Sequence, residues 1–109
     1  MPLIPLFEHA VDHQNATAVI DDSGQYSYRE LLNRSSGTAA ELLAGSADLA
    51  EQRVAFLFPP GIGYVSALWG IWRAGGVAVP LSLTHPTPEL EYVLDNTEAS
   101  TLLVDTSLV

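Results

Sequence analysis

Gly61 and Gly63 are the residues whose spacing most directly suggests chemistry. They follow the apolar run "RVAFLFPP" and open the helix-like run "IGYVSAL". A strand, a glycine turn and a helix start can cradle a phosphate, because the first backbone N–H groups of the helix and its dipole both favour an anion. The dinucleotide form of that cradle is G-x-G-x-x-G, with an acidic residue about twenty positions further on for the ribose. Here Ser66 stands in the third glycine's place, Pro59 and Pro60 move the turn away from the strand tip, and the next acidic residue is Glu89. The P-loop form needs a lysine, and the sequence contains none. Both a phosphate cradle and a packing turn remain open at this point, with the residues favouring the packing turn.

The other chemistry-bearing side chains are scattered. His9 and His13 lie one helical turn apart and could share a metal, but no H-E-x-x-H pattern or third ligand accompanies them, so a surface pair is expected. No G-x-S-x-G elbow is present for a serine nucleophile. Trp69 and Trp72, at helical spacing, read as core rather than as a stacking platform. Glu89 and Glu91 fall in the first turn of a helix, where carboxylates suit the dipole. With no cysteine, a disulfide framework, a thiolate metal site and a cysteine nucleophile are excluded. The net charge of −9 repels phosphate backbones and anionic headgroups, arguing against nucleic-acid and membrane-surface binding.

The elements that must position these residues are legible in part. Residues 5–13 read as a short helix, with Leu6 and Ala10 on one stripe and Phe7 and Val11 on another. "TAVIDDSGQYSY" reads as a hairpin turning at Asp22-Ser23-Gly24. Ser27 with Glu30 makes a capping box, so a helix begins near Tyr28. It shows Leu31, Leu32, Ala39, Leu42 and Leu43 on its apolar face, to about residue 45. "AGSADLAEQ" reads as a surface loop. Strand 53–58 does not alternate, as a parallel strand covered on both faces should not. From Val54 to Trp72 no residue is charged, but Pro-Pro-Gly within that run breaks any membrane-spanning helix. Helix 62–73 places Ile62, Val65, Trp69 and Trp72 on one side and stops at Gly75 and Gly76. "VAVPLS" (77–82) and "STLLVDT" read as two more buried strands, with Pro80 at a strand end or bend. Between them a helix opens with Thr87 as N-cap and Pro88 as first helical residue, and turns Leu90, Val93 and Leu94 inward. The fold class is therefore α/β. An N-terminal hairpin and helices precede a β-α-β-α-β parallel, Rossmann-like sheet with right-handed crossovers.

Two stretches carry a family resemblance. "YSYREL" (26–31) resembles the first core motif of the adenylate-forming, or AMP-binding, enzymes. "WRAGGVAVPLS" (72–82) resembles their second, where a helix ends in a glycine pair and returns into a strand ending in proline. The order and spacing of the two, and the run "HPTPELEYVLDNTEASTLLVD" after them, extend the likeness over essentially the whole chain. "AGGVAVPLSLTHPTPELEYVL" is similar to malonyl-CoA synthetases and other acyl-CoA synthetases.

The resemblance implies an AMP-forming acid–thiol ligase that uses ATP, Mg²⁺ and CoA. A carboxylic acid, malonate or a fatty acid, attacks the α-phosphate of ATP to give acyl-adenylate and pyrophosphate; the CoA thiol then displaces AMP. The family's phosphate loop, metal-binding segment, ribose-binding Asp and catalytic Lys have no counterpart among these residues. The chain (1–109) thus reads as the N-terminal segment of the large adenylation domain, with an incomplete sheet. No catalytic or metal-binding residue is carried over, and no cofactor is expected to bind this chain strongly. The resemblance does place Thr84 and His85, just past the second motif, near a docked CoA nucleotide. Thr84 is uncharged where some relatives have a basic residue. A start without a basic n-region argues against a signal peptide and for a cytoplasmic protein. The alternatives are a non-catalytic acidic α/β interaction module that self-associates through an exposed sheet edge, and a small dinucleotide-binding domain.

Overall fold

In the computed structural model, residues 5–84 and 86–108 are described. Local chemistry explains the first half. Helix α1 (Pro5–Asp12) leads into β1 (Thr17–Asp21) and β2 (Gly24–Ser27), an antiparallel hairpin. The Asp21 carboxylate closes its turn by accepting the backbone N–H and the hydroxyl of Ser23 at 2.8 and 2.7 Å. Helix α2 (Tyr28–Leu43) then starts on the expected capping box. The Glu30 N–H donates to Ser27 Oγ at 3.2 Å, and the Ser27 N–H reaches back to Glu30 Oε1 at 3.5 Å. The helix ends at Ala44, in the left-handed conformation.

The second half is the parallel α/β unit: β3 (Arg53–Leu57), α3 (Ile62–Arg73), β4 (Val77–Pro80), α4 (Thr87–Thr97) and β5 (Thr101–Val104), closed by a short 3₁₀ turn (Thr106–Leu108). The strand order is β4-β3-β5, parallel throughout, with Ala55 facing both Val79 and Leu102. Only the central strand is buried on both faces: Val54, Ala55 and Phe56 are at most 1% exposed. The expectation that β4 and β5 are buried is corrected, since they are edges. Val77 and Leu102 are each 44% exposed, and the remaining apolar residues of both strands are at best half-buried.

Other expectations shift for physical reasons. Thr87 is the first helical residue of α4 rather than its cap; Pro86 takes the cap position, with no side-chain hydrogen bond. Leu90, Val93 and Leu94 point inward as a stripe but are only half-buried, because α4 lies over an edge of a narrow sheet. In α1 the buried pair is Phe7 and Ala10, while Leu6 and Val11 stay near 40% exposed. Trp72 is also 40% exposed, so the Ile62-Val65-Trp69 side of α3 does not extend to it. The loop after α2 is no free surface segment. Leu49 is buried, its N–H donates to the Ala74 carbonyl at 2.8 Å, and the Glu51 N–H donates to that of Gly75 at 2.9 Å.

Helix α3 is the hinge of the packing. Ala67 and Ile71 join Val54, Phe56, Ala39 and Leu49 beneath the sheet. Ile62 and Trp69 join Phe7, Ala10 and Leu31 on the hairpin side. A helix buried on both sides must be apolar nearly all round, which explains the charge-free stretch. Each large side chain in these clusters contributes about 1.5–3 kcal/mol by leaving water.

Candidate functional site

The glycine turn is the first candidate, and its geometry settles the cradle question. The Ile62 N–H at the start of α3 donates to Asp21 Oδ2 at 2.9 Å. Helix α3 has no acidic residue in its own first turn; Asp21, reaching in from the hairpin, supplies the negative charge that the helix end favours. The Ser23 hydroxyl and then the Ile62 N–H hold the Asp21 carboxyl below its ordinary value of 3.8, and its partial burial only slightly opposes them. Gly61 sits at φ 142°, ψ −163°, a region essentially reserved for glycine, and a β-carbon there would stand 2.7 Å from Asp21 Oδ2. The small cleft beside this turn, about 290 Å³, is lined by Asp21 and Asp22. The place where a phosphate would bind is therefore held by the chain's own carboxylate, and the packing-turn reading prevails.

The second candidate lies at the carboxyl ends of β3 and β5. The chain leaves β3 for β4 on one side and later returns to β5 on the other. Such a switch point is where open α/β sheets bind ligands. A cleft of about 440 Å³ opens here, lined by Thr38 and Glu41 of α2, Gly63 and Ser66 of α3, Phe58, and Val104 of β5. Ser66 is 6% exposed, and its hydroxyl has no hydrogen-bond partner among the described residues. Arg34 also borders the cleft, with its guanidinium 5.2 Å over the Tyr26 ring. The cleft thus offers one buried hydroxyl between apolar walls, flanked by charges of both signs. No nucleophile–base pair forms there. In the sequence, Ser66 registered only as a missing glycine; its unpaired hydroxyl could not be read from it.

The family-implied site is less developed. Thr84 lies past the carboxyl end of β4, exposed, in a turn where its N–H donates to Ser82 Oγ at 3.2 Å and the two hydroxyls are 2.8 Å apart. His85 lies outside the described residues. The histidines of α1 stack with ring centroids 4.2 Å apart, and His13 Nδ1 is 2.8 Å from the His9 carbonyl oxygen. Among the described residues no three His, Cys, Asp or Glu side chains gather as metal ligands, and no helix is long and apolar enough to cross a membrane. Trp69 is core, tilted against Phe7 at 5.2 Å.

The family model for AMP-binding enzymes matches residues 6–109. The chain is 41% identical over 103 residues to the mitochondrial malonate–CoA ligase of Homo sapiens, covering 91% of this chain and 18% of that ligase. Among solved structures, apo MatB from Rhodopseudomonas palustris superposes with a TM-score of 0.77 at 27% identity, over 94% of this chain and 21% of that one. The anthranilate CoA ligase AuaEII, solved with anthranoyl-AMP, shares the fold with a TM-score of 0.84 at 22% identity, over 98% of this chain and 22% of that one. The chain spans about a fifth of the length of the curated relatives it matches.

Proposed function

Because the chain belongs to the AMP-binding enzyme family, we propose that it is the N-terminal segment of an acyl-CoA synthetase-like ligase, with malonate as the acid and ATP, Mg²⁺ and CoA as co-substrates and metal. The observation that carries this reading is the 41% identity to the human malonate–CoA ligase. The segment's own part is architectural: it supplies the hairpin, the first β-α steps of the sheet, and the α3 turn sealed by Asp21. The described residues do not fit a nucleotide or Mg²⁺ site, since the helix end that could take a phosphate is occupied by Asp21 and no three metal ligands gather. No catalytic step is therefore assigned to them. The exposed turn at Thr84 is the segment's approach to the CoA nucleotide on the resemblance alone, offering a hydroxyl and no charge. The absence of any basic residue before Arg29 supports a cytoplasmic location; the human relative's name places that protein in mitochondria.

The test has two arms. The 109-residue chain alone is expected to give no ATP–pyrophosphate exchange with malonate or fatty acids, and clear turnover would refute the segment reading. A chimera of the human ligase, with its matched region replaced by the corresponding region of this chain, is expected to form malonyl-CoA. A folded chimera that activates no carboxylic acid would refute the ligase assignment.

A further inference from the structure

We propose that the outer edge of β5 and the adjoining cleft at Ser66 are the seat of a strand from the part of an AMP-binding domain that this chain does not span. The inference rests on the segment reading above and assigns its missing contact to named residues. Three observations converge on one face. Among the described residues, no strand pairs with β5 on the side away from β3. An edge strand of this kind presents a row of unpaired N–H and C=O groups, a template for one more strand. Leu102 is 44% exposed on the same strand, and Leu103 and Val104, which border the cleft, are half-buried. Ser66 Oγ is buried, borders the cleft, and lacks a partner. A buried hydroxyl left unsatisfied is unfavourable, and native structures pair the great majority of such groups. The opposite edge differs: β4 ends at Pro80, which has no N–H to offer.

The occupant follows from the same surface. Apolar walls running along an open strand edge suit an extended backbone better than a phosphate. The lining carries Arg34 and Glu41 rather than a convergent set of cations. The matched relatives are about five times longer than the region matched, so polypeptide able to fill the seat exists in every one of them. The seated segment would donate to or accept from Ser66 Oγ while its backbone extends the β4-β3-β5 order by one strand beyond β5.

Hydrogen exchange and one substitution test this on the free chain and on the human chimera described above. In the free chain, amides of Thr101–Val104 are expected to exchange at least about tenfold faster than those of Val54–Phe56, and to slow by about tenfold or more in the chimera. Ser66→Ala should leave the thermal midpoint of the free chain unchanged or raised, because it removes an unpaired hydroxyl, and should lower that of the chimera. Equal β5 exchange in both proteins, or the same sign of the Ser66→Ala effect in both, overturns the proposal. β5 exchange in the free chain that slows with protein concentration also overturns it, because a second copy is then the occupant. If the chimera does not fold, the free chain decides: slow exchange at β5 refutes an open edge, and fast, concentration-independent exchange supports it. Malonyl-CoA formation by the same chimera reports separately on the ligase assignment. A folded, inactive chimera with protected β5 amides sinks that assignment and leaves the seat standing.

Discussion

The carboxylate of Asp21, in the hairpin turn, accepts the backbone N–H of Ile62, the first residue of α3, at 2.9 Å. One side chain thereby does two jobs. It closes the β1–β2 turn through Ser23 and caps a helix 41 positions downstream. The hairpin and the parallel unit are not hydrogen-bonded as one sheet, so this contact and the apolar cluster around Phe7 and Trp69 are what join them.

Replacing Asp21 with alanine removes the cap and the turn closure together. The expected outcome is a fall of several degrees in the thermal midpoint, in the range known for loss of a helix N-cap. Asp21→Asn should lose less, because the amide oxygen can still accept from Ile62. A calorimetric comparison in which alanine and asparagine behave alike would show that the carboxyl's acceptor role is not what matters.

The same contact predicts a pH dependence. Asp21 titrates below its ordinary value of 3.8 in the folded chain. A group with a depressed folded pKa stabilises the fold above its unfolded value, and that contribution is lost as pH falls through the folded value. The midpoint gap between the wild-type chain and Asp21→Asn should be constant above about pH 5 and close progressively below pH 3.8. Melting curves collected from pH 7 down to 2.5, in steps, would reveal it; a gap that widens in acid contradicts the assignment.

Gly61→Ala separates two costs. The backbone at φ 142° and ψ −163° resists any β-carbon, by about 1–3 kcal/mol. A second cost comes from the 2.7 Å approach to Asp21 Oδ2. In a double-mutant cycle with Asp21→Ala the steric part should vanish and the backbone part remain. Full recovery of stability in the double mutant would show that the backbone conformation carries no strain.

How much of this was legible in the sequence depends on the range of each interaction. The capping box at Ser27 and Glu30, the Asp22-Ser23-Gly24 turn and the β-α-β-α-β order were all readable, because each rests on residues within one turn of one another or on a periodicity. The edge status of β4 and β5 was not. An apolar run such as "VAVP" reads the same whether it is central or lateral, and only the strand order tells them apart. Trp72 was misplaced because helical spacing identifies a face but not where the neighbouring element ends. The Asp21–Ile62 bond and the orphan hydroxyl of Ser66 join residues distant in sequence, and no local pattern announces either. Leu49 looked like a loop residue because "AGSADLAEQ" is polar around it, yet it is buried against the turn after α3.

Helices α2 and α3 approach closely at Gly70. A β-carbon there would lie 2.6 Å from Thr38 Cβ and 3.1 Å from the Ser35 carbonyl oxygen. Gly70→Ala must push the helices apart, and is expected to cost about 1–3 kcal/mol as overpacking does, despite alanine's better helix propensity. Chemical denaturation measures it. A neutral or stabilising result would mean that the helix pair can slide without loss.

Arg73 ties the same helices from the other end. Its Nη1 donates to the Leu32 carbonyl at 2.8 Å and to Ser35 Oγ at 2.9 Å, and its guanidinium lies 5.7 Å from the centre of the Phe7 ring. Burial pushes the Arg73 pKa down, yet the group keeps its charge because an arginine starts so high. Ser35 is fully buried and passes its own hydrogen on to Leu32. Removing the guanidinium therefore strands a buried hydroxyl and a carbonyl as well as a stacking contact. Arg73→Met, which keeps much of the apolar stem, should still destabilise by about 1.5–3 kcal/mol, the range for hydrogen bonds to a charged group. Arg73→Lys should recover only part of this, since a single ammonium cannot reproduce the planar contact over Phe7. Because Phe7 belongs to α1, the loss should also appear as faster amide exchange in residues 7–12, a readout that a purely local effect in α3 would leave unchanged. Equal stability of the methionine variant and the wild-type chain would place the attachment of α1 in the Phe7–Trp69 packing alone.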